Sequence, residues 1–347
     1  MSKMNNNKSG LVEIKPFIVK SVGEHSMGAP VLKYLEIKMH DYLRDHSRNF
    51  KKILVIGEYD RTCSISSFEK DGKTSNWQRP TAEIINDELI IKCFPGKDYV
   101  RHYASLIASY LYLTDRKWSH VRYVLPTEAK CEAAVDDLFL ENIPVGDVLI
   151  IGSGLPAIAG EDRWEGNNHY LYKSVSINNQ TVVFLIFQFS FWGDILYRII
   201  KKMGSSFKKI LFTAKVGGIR SDLIPNETLA TGSQSFIDGE FVSWKGLFED
   251  VTSPFLVKGR HINSPSVLLE TKAWVKSFSG IEFVDSEIGY FIKSTRDIGV
   301  NSGYLHFISN NLTNPHAEDL SNEREKSVIL KRSKLNEEIR RIIYEII

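Results

Sequence analysis

The run VLIIGSGL, residues 148–155, is four aliphatic residues that enter a Gly-Ser-Gly turn. A strand this apolar suits the middle of a sheet covered on both faces, because a parallel strand buried by helices has no polar side to show. Two further runs of the same kind follow, VVFLIF at 182–187 and ILFT at 210–213. Between them, residues 195–203 (ILYRIIKKM) carry apolar positions at helical spacing, which gives β-α-β order. Beyond, 264–278 reads as a helix, 281–284 as a short strand, 286–295 as a helix and 303–309 (GYLHFIS) as a single strand. The alternation predicts an α/β fold over 146–347, with a mixed, mostly parallel central sheet flanked by helices. Leu335, Ile339, Ile342 and Ile346 then fall on one face of a terminal helix whose role is packing.

Upstream the pattern is looser. Residues 1–12 are rich in Asn and Lys and lack the apolar core of a secretory signal, so they read as a flexible tail and favour the cytoplasm. In 13–145, residues 31–43 place Leu32, Leu35, Met39 and Leu43 at helical spacing, and 52–57 (KILVIG) reads as a strand. The polar stretch 72–80 reads as a loop, 104–113 as a helix, 121–125 as a strand and 129–140 as a helix. This N-terminal α/β extension is either a unit of its own or an elaboration around the later core. A nucleotide-binding strand at KILVIGEYD has only one glycine behind it, and no GxGxxG or GxxxxGK[ST] follows.

Composition narrows the function. The 347 residues are 43% hydrophobic and 25% charged, as in folded soluble chains. Lys and Arg number 44 against 42 Asp and Glu, which leaves no surplus cation for a nucleic-acid backbone. The apolar stretch 182–192 is about half the ~20 residues of a membrane span and is interrupted by Gln188 and Ser190. Neither nucleic acid nor membrane is expected as a partner. Cys63, Cys93 and Cys131 are too far apart for a CxxC pattern, and the nine histidines form no HExxH, so no metal is expected.

In an open α/β sheet, ligands bind beyond the carboxyl ends of the strands. Four places qualify. Gly152-Ser153-Gly154 offers close backbone approach and a hydroxyl, although such a triplet is also simply a turn. Gly217-Gly218 follows a strand, with Lys215 as a cation at the sheet edge or as an ordinary solvated lysine. Glu287, in VDSEIG, stands at a strand-to-helix junction, where it can grip a sugar diol or serve as a helix-start acid. Asn310 ends the last strand, where an amide both donates and accepts toward a heterocycle but is also a common turn residue.

In this order the four places resemble the nucleoside phosphorylase and nucleosidase superfamily, whose purine and uridine phosphorylase-like core would cover about residues 147–311. The resemblance lies in VLIIGSGL, KVGGIRSDLIPNETLATGS, GRHINSPSVLLETKAWV, FVDSEIG and HFISNN. It implies cleavage of an N-glycosidic bond by a glycosyltransferase (phosphorolysis) or an N-glycosidase (hydrolysis), with a small nucleoside as partner and a homo-oligomeric assembly. No cofactor is implied beyond inorganic phosphate as co-substrate. Gly152, Ser153, Gly154 and Lys215 would hold phosphate or the attacking water. Glu287 would grip the ribose hydroxyls, with His261 toward the sugar's 5′ end. Asn310, with Gly217 and Gly218, would bind the base.

The chain also departs from the family. Where many bacterial phosphorylases have an arginine as phosphate ligand, this chain has Phe212-Thr213-Ala214-Lys215, and a lysine lacks the bidentate fork. Leu155-Pro156-Ala157 supplies no glutamate for a hydrolytic water. Asn310 stands where an aspartate commonly protonates the base, and an amide is no general acid. A second reading therefore stays open, in which the fold serves as a nucleoside-binding sensor or interaction module.

Overall fold

The computed structural model describes residues 12–69, 79–189, 192–314 and 316–347, and among these three sheets organise the chain. The tail at 1–11 and most of the loop at 72–80 lie outside the described residues. The N-terminal sheet has the order β2-β3-β1-β4, from β1 (Lys52–Ile56), β2 (Thr81–Ile85), β3 (Glu88–Lys92) and β4 (Val121–Val124). β1 is parallel to β3 and β4, while β2 returns on β3 through Asn86-Asp87, both at positive φ as a tight hairpin turn requires. Helices α1 (Pro30–Lys38), α2 (Asp41–His46) and α3 (Lys97–Leu113) complete this unit, whereas α4 (Glu128–Asp136) sends Val135 into the core of the later sheets. The single helix expected over 31–43 is broken at Met39-His40, both extended. The break turns the His40 ring into the interior, where its Nε2 lies 3.0 Å from Glu69 Oε1. The helix expected over 129–140 stops at Asp136, and Phe139 takes a left-handed conformation.

The second sheet is built from β5 (Val148–Gly152), β6 (Glu165–Gly166), β7 (Tyr170–Ile177), β8 (Gln180–Phe187), β9 (Lys209–Thr213) and, much later in the chain, β15 (Asn301–Tyr304). Its order is β15-β9-β5-β8-β7-β6, parallel from β15 to β8 and antiparallel at β7 and β6. All five residues of β5 are buried, which accounts for its unbroken aliphatic run. The third sheet runs β12-β11-β13-β14-β10-β16, from β10 (Lys215–Gly218), β11 (Leu229–Ile237), β12 (Glu240–Ser243), β13 (Leu256–Asn263), β14 (Phe283–Asp285) and β16 (His306–Asn311). Pairing of β11 with β16 closes five of these strands into a ring. The helices of this half are α5 (Leu155–Ala159), α6 (Asp194–Met203), α7 (Lys272–Lys276), α8 (Ile288–Asp297) and α9 (Lys326–Ile346). The fold is mixed α/β with parallel-rich sheets flanked by helices. No helix among the described residues is long and apolar enough to cross a membrane.

Two further expected elements are divided. The strand over 303–309 is two strands in different sheets, because the chain steps across at Leu305 beside an equal step at Ala214. The helix over 264–278 is only a turn at Val267–Leu269 and the short α7. Here Leu268, 1% exposed, leaves the core of its own half and enters the hydrophobic core of the N-terminal unit, as does Leu320.

The seam between the halves is polar as well as apolar. His25 Nε2 lies 3.0 Å from the Val267 carbonyl and His102 Nδ1 2.7 Å from Ser266 Oγ. Asp194 accepts the backbone N–H groups of Lys97 and Asp98 at the start of α3, and Phe94 stacks on Phe189 at 3.9 Å. Truncation of Leu268 to Ala should lower the unfolding free energy by about 2–5 kcal/mol in one urea transition. Two separated transitions in the wild-type chain would show that the halves melt independently.

Candidate functional site

β5 ends against β9 so closely that a Cβ on Gly152 would stand 1.6 Å from the Thr213 carbonyl oxygen, and any side chain there must part the strands. Ser153 N donates to the same oxygen at 2.9 Å, and Gly154, left-handed at φ 72°, starts α5. Thr213 leads through Ala214 into Lys215, so the Gly-Ser-Gly turn and β10 stand side by side. Across β10, Gly217 is level with Val284 of β14 and Asn310 of β16. The register of β16 slips at Ser309, whose Oγ lies 2.9 Å from Asn310 Oδ1. With its oxygen accepting from that hydroxyl, the Asn310 amide presents its N–H groups as donors.

β14 ends at Asp285, whose Oδ1 accepts the N–H groups of Glu287 and Ile288, both at 2.9 Å, and so caps α8. His261 Nε2 lies 2.9 Å from the same oxygen. Burial opposes charge on Asp285, but His261 and His306 beside it hold the carboxyl below the usual range. Burial pushes Glu287 up to about 8, the Asp285 charge adds to this, and Lys215 acts against it. Burial likewise pushes Glu270 well up.

The structure thus brings Gly152, Ser153, Gly154, Lys215, Gly217, Gly218, Glu287 and Asn310 to neighbouring strand ends. Several are placed differently from expectation. Lys215 is ion-paired with Glu323, whose Oε1 also takes Arg332 Nη2 at 3.3 Å. The space over Gly217 is filled by Leu312 and Val284, and that over Gly218 by Leu223, so these glycines make room for packing. His261, expected toward the sugar, is fully buried, with Nδ1 2.8 Å from Ser235 Oγ and Nε2 accepting the Asp285 backbone N–H at 3.0 Å. Trp192 stacks on His102 at 4.4 Å and donates to the Pro265 carbonyl, and Phe191 lies outside the described residues. Arg220 is paired with Asp222 on the surface.

Sequence reasoning passed over Asp285, Ser309, His306 and Glu323. Asp285 had a signal, a second carboxylate two residues before Glu287. His306 was hidden inside what read as one strand, and Glu323 lies 108 residues from the lysine it pairs with.

No family model matches the chain, and no curated protein matches it. Solved structures similar to it include the Helicobacter pylori MTAN, at 15% identity over 58% of this chain and 98% of that one, with a TM-score of 0.42. The native futalosine hydrolase of Helicobacter pylori strain 26695 is 16% identical over 58% and 97%, with a TM-score of 0.44. The Campylobacter jejuni 5′-methylthioadenosine/S-adenosyl homocysteine nucleosidase is 13% identical over 58% and 99%, with a TM-score of 0.43. These proteins belong to the nucleoside phosphorylase and nucleosidase superfamily that the sequence motifs resemble. The likeness is one of fold.

A glutamate pushed up on folding favours the folded state most below its ordinary range, and this contribution is lost as pH rises through about 8. The isosteric Glu287→Gln cannot titrate. Its unfolding free energy from urea titration should therefore fall less than that of the wild type between pH 5 and 8, by up to about 1.4 kcal/mol per pH unit. Parallel curves for the two proteins would show that Glu287 is ionised throughout.

Proposed function

We propose that the chain cleaves the N-glycosidic bond of a nucleoside or nucleoside-like compound, and that it does so by hydrolysis. What carries the reading is the placement of Glu287 and Asn310 at strand ends on either side of β10. Displacement at an anomeric carbon passes through an oxocarbenium-like state in which the departing base gains negative charge. A donor aimed at the base contributes most there, because it strengthens only as that charge develops. The Asn310 amide, whose oxygen is taken by the Ser309 hydroxyl, is such a donor. It suits a base that presents ring-nitrogen and exocyclic-oxygen acceptors, as 6-oxopurines do. Glu287 would hold the sugar hydroxyls, and the Ser153 hydroxyl and neighbouring amides would place the water.

Hydrolysis is favoured over phosphorolysis by charge. Asp285 keeps its negative charge at the rim, Glu270 is pushed well up by burial and adds no cation, and the cation expected to meet phosphate, Lys215, is already paired with Glu323. A phosphate dianion would enter a field that is already negative, whereas water bears no such cost. The second reading, a nucleoside sensor, is favoured by the amide at 310 and by Leu155-Pro156-Ala157 after the turn. A homo-oligomer acting in the cytoplasm belongs to the proposal, and sedimentation of the purified chain gives its assembly state.

The test is incubation with inosine, guanosine, adenosine and uridine, with and without phosphate, while free base is measured. Base release independent of phosphate, greatest for inosine and guanosine, is expected, and Asn310→Ala should lower kcat about 10²-fold or more. Release only with phosphate would make the chain a phosphorylase. Tight binding without release would make it a sensor.

A further inference from the structure

Asp285 is tied to three elements at once. Its Oδ1 caps α8 through the N–H groups of Glu287 and Ile288, and its backbone N–H donates to His261 Nε2 of β13, which lies 2.9 Å from the same oxygen. Its Oδ2 faces His306 Nε2 of β16 at 3.8 Å, and neither atom has a hydrogen-bond partner among the described residues. His306 Nδ1 accepts the Ala214 N–H at 3.2 Å, so the proton of its neutral ring is on Nε2 and faces Asp285. Both rings are fully buried. His261 is held from its other side by Ser235. A carboxylate fixed in this way cannot turn to solvent, and its charge stands two residues from Glu287.

The remaining charged and titratable groups facing this pair are few. Lys215 of β10 attracts Glu287 but is engaged by Glu323. Glu270 and the Tyr304 hydroxyl lie near Asp285, both pushed well up by burial, so neither supplies a compensating charge. The charge on Asp285 opposes one on Glu287, and the carboxyl with two histidines and two backbone donors is the one held low.

We propose that Asp285 is the positioning residue of the rim: anchored by His261 and His306, it fixes the start of α8, sets where Glu287 stands, and holds beside it a carboxylate that opposes a second negative charge on Glu287. A neutral carboxyl donates one hydrogen bond and accepts another, whereas a carboxylate only accepts. A vicinal diol is matched by that pattern, since one hydroxyl accepts while its neighbour donates. The identity of the ligand as a sugar rests on the function proposed above, but the positioning and protonation of Glu287 do not.

The experiment is carbon NMR of the full chain with labelled glutamate carboxyl groups, titrated from pH 4 to 10 without ligand. The signal lost in Glu287→Gln identifies the residue. In the wild type its midpoint is expected near 8, and in Asp285→Asn about one unit or more lower, because the neighbouring charge is gone while the amide oxygen can still cap α8. Should Asp285→Asn fail to fold, Asp285→Ser keeps a capping oxygen and removes the charge in the same way. An unmoved midpoint in the folded variant overturns the proposal, as does a wild-type midpoint in the ordinary glutamate range. If nucleosides are cleaved, the alkaline limb of kcat/KM should shift down by the same amount in Asp285→Asn. If none is bound or cleaved while the midpoint still moves, the function proposed above fails and the positioning role stands.

Discussion

The structure depends on a joint at which two parallel strands change sheets together. β9 passes into β10 at Ala214, and β15 passes into β16 at Leu305. Across the step the two chains stay hydrogen-bonded, Leu305 N to the Phe212 carbonyl at 2.9 Å and Phe307 N to the Ala214 carbonyl at 3.2 Å. Leu305 is buried, and backbone groups at such a depth must find partners within the protein. A strand crossing alone would leave those groups unpaired, so the crossings have to occur side by side. The joint turns the carboxyl ends of β5 and β9 toward β10, β14 and β16. Gly152 seals it from the other side, since the Thr213 carbonyl occupies the place of any side chain at 152.

On that frame the rim carries more acid than base, and its balance is internal. Asp285 keeps its charge because two histidines and two N–H groups surround it. Glu287 beside it holds a proton, and Lys215 is matched by Glu323 and shares that partner with Arg332. Arg332 in turn lies over the Phe307 ring at 4.6 Å and donates to Asn226, itself bonded to Glu318. The cations near the rim are thus committed to carboxylates of the segment that follows β16. An arrangement of this kind discriminates against an incoming anion and leaves neutral donors and acceptors to face a neutral ligand.

How much of this could be read beforehand follows from which interactions are local. Val148–Gly152, Gln180–Phe187 and Lys209–Thr213 were legible as apolar runs because they are buried on both faces. β11 and β13 were not, since LATGSQSFI and LVKGRHIN mix exposed polar positions with glycines at which the two backbones meet. The hairpins at Asn178-Asn179 and Asp238-Gly239 did carry turn signals, both residues at positive φ in each case, and these went unread. The positions of Glu287 just after β14 and of Asn310 near the end of β16 were legible from their motifs. The burial of His261 was not, because nothing near GRHINSP announces Ser235 or Asp285 as its partners. The filling of the space over Gly217 by Leu312 is equally a matter of tertiary packing.

The N-terminal unit bears on the rim through two segments that leave it. Residues 264–271 precede α7 and contain the buried Glu270, and they send Leu268 into the N-terminal core. Residues 316–325 follow β16, send Leu320 into the same core, and carry Glu323 to Lys215. Tyr34 of α1 lies within the electrostatic reach of both Glu323 and Glu270, which together with burial push its hydroxyl up. A displacement of α1 or α3 would therefore disturb Leu268 and Leu320 first, and through them the two glutamates that border the rim. The unit is then part of what holds the charges of the rim in place, since Lys215 can stay neutralised only while the segment bearing Glu323 remains packed beneath it.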